Sequence, residues 1–337
     1  MSDKYTIDEN RTLASYLEDP IIAEIAPDAI KDYGIEKQEM YHKTLKQLHE
    51  EHFGGNITRG LQRLFDNALG GDYYFPVYTD EEIAADSTRK GVNLVYFPAD
   101  DRKAQKENPF ILLVPGGGFV NVWNLSEGWP VADHFNKLGY AVFILTYRVG
   151  DMPNLAARNM EDFAYALRFI KANEEKFGVQ GDAYIPCGFS AGGFLVCSWC
   201  TKKHGYGVHN LPKPQAVFPV YPLVSPALAD QDDEEDENDG EDVDFLGRLL
   251  GEERHGWETP EYAADFPPAF LFLAADDDLV PPRHSLLMKE ALEKAGVPVR
   301  LEMGPKGGHG FAEAEGMCME GWCERAIEGY EKIASKS

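Results

Sequence analysis

Tyr184-Ile185-Pro186-Cys187-Gly188-Phe189-Ser190-Ala191-Gly192-Gly193-Phe194-Leu195-Val196 is the stretch on which the reading of this chain turns. Residues 184–187 form a short apolar run with the character of a buried strand, and Gly192 to Val196 can open a helix. Between them, Gly188-Phe189-Ser190-Ala191-Gly192 fits the pattern G-x-S-x-G. A serine on a tight strand-to-helix turn is held in a strained backbone conformation, with its hydroxyl thrust out at the sheet edge. The flanking glycines remove Cβ atoms that would collide with strand and helix. Ser190 is therefore a candidate nucleophile.

A serine hydroxyl is a weak nucleophile and needs a base. The chain has nine histidines, and His42, His49 and His52 lie in charged N-terminal segments that read as surface. His309 differs. It lies in Lys306-Gly307-Gly308-His309-Gly310-Phe311, after the last apolar run, where a glycine-rich loop can swing an imidazole over the sheet edge. The third member should be an acid, and Leu271-Phe272-Leu273-Ala274-Ala275 runs into Asp276-Asp277-Asp278. The chain order Ser, Asp, His is that of α/β-hydrolases, not of chymotrypsin-like or subtilisin-like proteases. An oxyanion also needs preorganised N–H donors. Pro115-Gly116-Gly117-Gly118-Phe119 follows the apolar run 110–114, and its glycines let the backbone approach a carbonyl. Gly117, Gly118 and Ala191, the residue after the nucleophile, are the expected donors. No Lys-Ser or Lys-Thr follows the glycines, so a phosphate-binding Walker loop is excluded.

Outward from these motifs, short apolar runs alternate with amphipathic helices. Phe110–Val114, Tyr140–Leu145, Ala216–Phe218, Ala269–Leu273 and Val297–Met303 read as further strands. Met160, Phe163, Ala164, Leu167 and Ile170 share one helical face, as do Met319, Trp322, Cys323, Ala326, Ile327 and Tyr330. Such alternation predicts a mainly parallel sheet with helices on both faces. Residues 1–71 carry helical spacing and little strand signal. Leu13, Tyr16, Leu17, Ile21, Ile22 and Ile25 are too apolar to stay solvated, so this extension should pack on the catalytic domain, residues 72–337. Residues 230–244 hold eleven acids and no base, which predicts a solvated, mobile loop. Aligning Gly240 with the glycine of a calcium loop leaves Leu246 where a glutamate is required, so that metal reading fails. Cys197-Ser198-Trp199-Cys200 lies on the helix after Ser190, where small sulfur side chains pack well, and no second pair has zinc spacing. Trp123 and Trp129, after the triple glycine, can be core anchors or walls of an acyl pocket.

Composition narrows the class. The chain has 337 residues, 44% of them hydrophobic, enough for one large domain or two smaller ones. Its 57 acids against 32 bases give a formal charge of −25, which argues against nucleic-acid and anionic-membrane partners. No run approaches the ~18 apolar residues of a membrane helix. The polar, acidic start Met1–Glu9 lacks a secretory apolar stretch, and five cysteines make a disulfide framework improbable. A cytoplasmic protein without metal or organic cofactor is the expectation.

Together these elements resemble the α/β-hydrolase superfamily. More narrowly, they are similar to the acetylesterase and xylan- or feruloyl-esterase-like group near the hormone-sensitive-lipase-like esterases. The resemblance covers about residues 90–335. It rests on Val114–Phe119, Thr146-Tyr147-Arg148, Gly188–Gly193, Asp276–Pro281 and Gly307–Phe311. Pro115 stands where the lipase-like branch usually has a histidine. The resemblance implies a serine carboxylesterase acting on short-chain acyl esters, with acetylated or feruloylated carbohydrate among its candidates. It also implies that the acid sits four residues before the proline closing its loop, at Asp277. Some peptidase relatives place it one residue earlier, at Asp276. Insertions after the strand ending near Val220 commonly form lids in this superfamily, so residues 226–262 are expected to form or flank a cap. The N-terminal helices would contribute to the cap or, alternatively, to a homodimer contact. The rival readings are an acyl-peptide peptidase with the same triad, and a ligand- or partner-binding module that kept the fold and lost the chemistry.

Overall fold

The computed structural model describes residues 5–25, 35–51, 55–71, 73–235, 245–251 and 256–335. Eight strands form one sheet: β1 (Tyr74–Pro76), β2 (Asn93–Phe97), β3 (Phe110–Val114), β4 (Val142–Thr146), β5 (Tyr184–Phe189), β6 (Phe218–Val220), β7 (Ala269–Ala274) and β8 (Val299–Gly304). Their spatial order is β1-β2-β4-β3-β5-β6-β7-β8. The pairs from β4 through β8 are parallel, while β1–β2 and β2–β4 are antiparallel. The expected mainly parallel sheet is present.

Every residue of β2 through β7 is buried, because helices cover both faces. Strands in that position read as continuous apolar runs rather than alternating ones. The period of two still sorts their side chains between two cores. Phe110, Leu112 and Val114 of β3 point to one layer, with Met160, Phe163 and Phe194 of helices Leu155–Ala172 and Ser190–Trp199. Ile111 and Leu113 point to the other, with Trp129 and Phe135 of helix Trp129–Lys137 and Trp322 of helix Trp322–Ala334.

The antiparallel strands β1 and β2 were not anticipated from sequence. β1 spans three residues and ends in a proline, and the β2 run Asn93–Phe97 is closed by Pro98. The three residues of β1 resemble loop until a neighbour supplies the ladder, whereas β2 is as long as β3 and β4 and its apolar run was overlooked.

Among the described residues the N-terminal segment contributes five helices, from Leu13–Leu17 to Ile57–Gly70. Leu13, Tyr16, Ile22, Leu61, Leu64 and Phe65 join the core layer that holds Trp129. The side chain of Ile25 lies outside the described residues. Helix Ile57–Gly70 meets helix Trp129–Lys137 at Gly60, where a Cβ would come within 2.7 Å of Pro130. Only a hydrogen fits there.

After β6 the chain forms helix Pro226–Glu235, helix Phe245–Leu250 and the 3₁₀ turn Thr259–Asp265. The first of these carries the start of the acidic run into a helix, where composition predicted loop. Its first turn is held from outside. The Ala227 N–H donates to Glu258 Oε1 at 2.7 Å and the Leu228 N–H to Ser225 Oγ at 3.1 Å. These bonds satisfy amides that a helix start otherwise leaves unpaired. Residues 236–244, the rest of the expected mobile loop, lie outside the described residues. Leu249 and Leu250 return to the core beside Leu155. No helix among the described residues is long and apolar enough to cross a membrane.

Candidate active site

Parallel pairing brings the carboxyl ends of β3, β5, β6 and β7 to one edge, where sites of open α/β sheets form. Val114 pairs with Gly188 and Phe189 with Val220, so the triple glycine and Tyr221 both flank Ser190. Ser190 has φ +51°, a strained value for a residue with a Cβ. Its neighbours explain the pentapeptide. A Cβ on Gly188 would lie 2.3 Å from the Gly192 carbonyl oxygen, and one on Gly192 would lie 2.0 Å from the Val114 oxygen. Neither position accepts a larger residue without moving backbone.

Beyond β8, His309 comes back over this turn. Its Nε2 lies 2.8 Å from Ser190 Oγ and its Nδ1 lies 2.8 Å from Asp277 Oδ2. The other carboxylate oxygen of Asp277 accepts the amides of Leu279 at 3.1 Å and Val280 at 2.9 Å. The side chain is thus buried and locked in one orientation. Asp276 points elsewhere, is exposed, and accepts the Gly308 amide at 2.9 Å. Asp278 is also exposed. Of the three consecutive aspartates, Asp277 alone contacts the imidazole.

The oxyanion-loop candidates lie beside the serine. A Cβ on Gly116 would be 2.9 Å from Ser190 Cβ. Gly117 and Gly118 follow with φ +128° and +59°, and Phe119 with +61°. A tight turn closes the loop, with the Asn121 N–H donating to the Gly117 carbonyl at 3.0 Å and the Trp123 N–H to that of Gly116 at 3.0 Å. Ala191 opens the helix on the other side of Ser190 and is buried.

Several sequence features resolve into scaffold. The Tyr147 hydroxyl donates to the Pro115 carbonyl at 2.8 Å, buttressing the glycine loop from behind. Arg148 is buried and ion-paired with Asp162 at 2.7 Å, whose carboxylate also accepts the Tyr78 hydroxyl. Trp129 is fully buried, a core anchor, whereas Trp123 is half-buried with its ring edge against Gly117. Cys197 and Cys200 are buried free thiols, and burial pushes both well above the ordinary thiol range.

Two residues were missed. Glu127 is buried, accepting the Gly116 amide at 2.6 Å and the Tyr221 hydroxyl at 2.9 Å. Tyr221 has φ +37° and its ring centroid lies 4.8 Å from that of His309. The one local signal was Glu127 itself, the single charged residue between Phe110 and Ala132.

Comparison with known proteins follows the same lines. The BD-FAE family profile matches residues 95–292. Over 235 residues the chain is 29% identical to an acetylxylan esterase of Xylanibacter ruminicola, spanning 63% of this chain and 45% of that protein. It is 26% identical over 228 residues to endo-1,4-beta-xylanase B of Butyrivibrio fibrisolvens, spanning 63% and 34% respectively. The chain thus spans a third to about half of the length of these curated relatives. Among solved structures, an acetyl ester-xyloside bifunctional hydrolase from Caldicellulosiruptor lactoaceticus is similar, with a TM-score of 0.63 at 26% identity over 77% of this chain and 96% of that one. The α/β-hydrolase MGS-M1 from a Medee basin deep-sea metagenome gives a TM-score of 0.54 at 25% identity, over 72% of this chain and 93% of that one. With the profile matched over more than half its length and the sheet order described above, this chain belongs to the BD-FAE family and has the α/β-hydrolase fold.

Proposed function

We propose that the protein is a serine hydrolase of carboxylic esters, with Ser190 as nucleophile, His309 as general base and acid, and Asp277 as the group that orients the imidazole. The observation that carries this reading is the continuous relay from Asp277 through His309 to Ser190, with both links at 2.8 Å. His309 Nε2 takes the hydroxyl proton as Oγ attacks the ester carbonyl, then returns it to the leaving alcohol. Asp277 holds the tautomer in which Nδ1 carries the proton and balances the imidazolium. The amides of Gly117, Gly118 and Ala191 are assigned to the developing oxyanion. Water, deprotonated by the same histidine, then releases the acyl group from Ser190.

The substrate reading is a short acyl chain, acetyl first. Support comes from the similarity to an acetylxylan esterase and to an acetyl ester-xyloside hydrolase.

A fluorophosphonate probe tests the chemistry. It should label folded wild-type protein at Ser190 and leave Ser190→Ala unlabelled; folded protein that never reacts would favour the binding-module reading. A series of acetyl, butyryl, octanoyl and feruloyl esters, together with acetylated xylo-oligosaccharides, tests the substrate. Acetyl esters should turn over fastest. Octanoate hydrolysed faster than acetate would sink the short-chain reading.

A further inference from the structure

Glu127 takes no part in the relay, yet it is hydrogen-bonded to both of the loops that complete the site. On one side its Oε2 accepts the Gly116 N–H, immediately before the two glycines assigned to the oxyanion. On the other its Oε1 accepts the Tyr221 hydroxyl. That hydroxyl in turn accepts the Ala312 N–H at 3.2 Å, three residues beyond His309, and the Tyr221 ring packs on the imidazole. A single buried side chain therefore spans from the glycine loop to the base loop.

Hydrogen-bond accounting identifies its protonation state. The Gly116 amide can only donate. A neutral Glu127 would have to turn its own proton toward Tyr221, which already accepts from Ala312. The phenol proton would then have no acceptor among the described residues, a costly state for a buried group. The carboxylate form satisfies all three donors. Burial holds the Glu127 carboxyl above its usual range, and the Gly116 amide, the Tyr221 hydroxyl and the nearby His309 offset only part of that rise. Tyr221 is itself driven far above the ordinary phenol range, first by burial and then by Glu127, so it stays a donor. The Cys187 thiol, which also faces Glu127, is pushed up by burial and stays neutral.

We infer that Glu127 is a positioning residue of the ester-hydrolysing site. Its carboxylate sets the glycine loop against Ser190 and, through Tyr221, steadies His309 as a second negative charge behind the imidazolium. The inference rests on the esterase reading above. The charged and titratable groups facing His309 are then Asp277 at Nδ1, Ser190 at Nε2, Tyr221 against the ring and Glu127 behind Tyr221, with Asp276 holding the Gly308 amide.

Glu127→Gln tests it, because the amide keeps the shape while removing the charge and one acceptor. The expected result is a fall in kcat of about 10- to 100-fold with KM little changed, the scale of small misplacements in an assembled site. The acid limb of kcat/KM should move down by up to about one pH unit, since the imidazolium loses a neighbouring anion. A purely structural role would lower the melting temperature without moving that limb, and such a result overturns the inference, as does unchanged kcat. If Glu127→Gln does not fold, Tyr221→Phe decides: a reduced kcat with a smaller downward move of the acid limb supports the inference, and wild-type behaviour refutes it. Wild-type protein that neither labels with the fluorophosphonate nor hydrolyses any ester would instead refute the esterase reading itself.

Discussion

Asp277→Asn is expected to lower kcat by up to ~10⁴-fold, while Asp276→Asn should stay within a few-fold of wild type. The difference lies in which proton each side chain controls. The Asp277 carboxylate accepts the Nδ1 proton of His309 and is itself clamped by the Leu279 and Val280 amides. Those two amides would hold the oxygen of an asparagine at the clamp and turn its NH₂ toward the ring. Nδ1 must then accept, Nε2 carries the proton, and the nitrogen facing Ser190 can no longer take one. Asp276 is exposed and accepts the Gly308 amide, a bond that an asparagine oxygen reproduces. Single-turnover and steady-state kinetics on one acetyl ester would separate the variants. A collapse in Asp276→Asn with Asp277→Asn nearly intact would reverse the assignment.

Arg59→Met should destabilise the protein by about 3 kcal/mol, the low end of the cost of breaking a buried pair, because the arginine keeps some solvent contact. Helix Ile57–Gly70 presents this guanidinium to three carboxylates. It pairs with Glu313, with Glu315 at 2.6 Å, and through Nε with Asp133 at 2.9 Å. Glu313 is almost fully buried and also accepts the Asn56 amide at 2.6 Å. Without the arginine it remains a buried charge, and among the described residues its remaining ion-pair partner is the His134 imidazole, at 3.6 Å. The melting temperature should fall by roughly 4 °C. Glu313 lies four residues after His309, so activity at temperatures well below melting should fall as well. A double variant, Arg59→Met with Glu313→Gln, should recover part of the loss because the stranded charge is gone. An unchanged melting temperature in Arg59→Met would show that the N-terminal helices do not brace the histidine loop.

This contact also explains why the N-terminal segment could be read as packed but not as braced against the site. Leu61, Leu64 and Phe65 announce a buried helical face through their spacing alone. Arg59 on the same helix looks like any surface arginine, since its partner is 254 positions away. The same holds for Glu127 and Tyr221, 94 positions apart. Local patterns cannot signal a hydrogen bond between residues that only folding makes neighbours.

What a short window can carry was legible from residue order. The Ser190 turn could be read because strand, two obligatory glycines and helix opening are contiguous, and the steric demand acts over five residues. The central strands could be read because burial on both faces leaves a continuous apolar run. The edge strand β1 could not, because three residues ending in a proline take their identity from the partner they pair with, whereas the buried β2 between β1 and β4 was overlooked although its apolar run 94–97 is continuous. The choice between Asp276 and Asp277 belongs to the same class. Both carboxylates follow one strand end, and adjacent side chains leave the backbone in different directions. The spacing to Pro281 picked Asp277 only through the resemblance; the physical reason, which direction meets the imidazole, is set by how β7 and β8 pair and where the loop from Gly304 to His309 crosses over them.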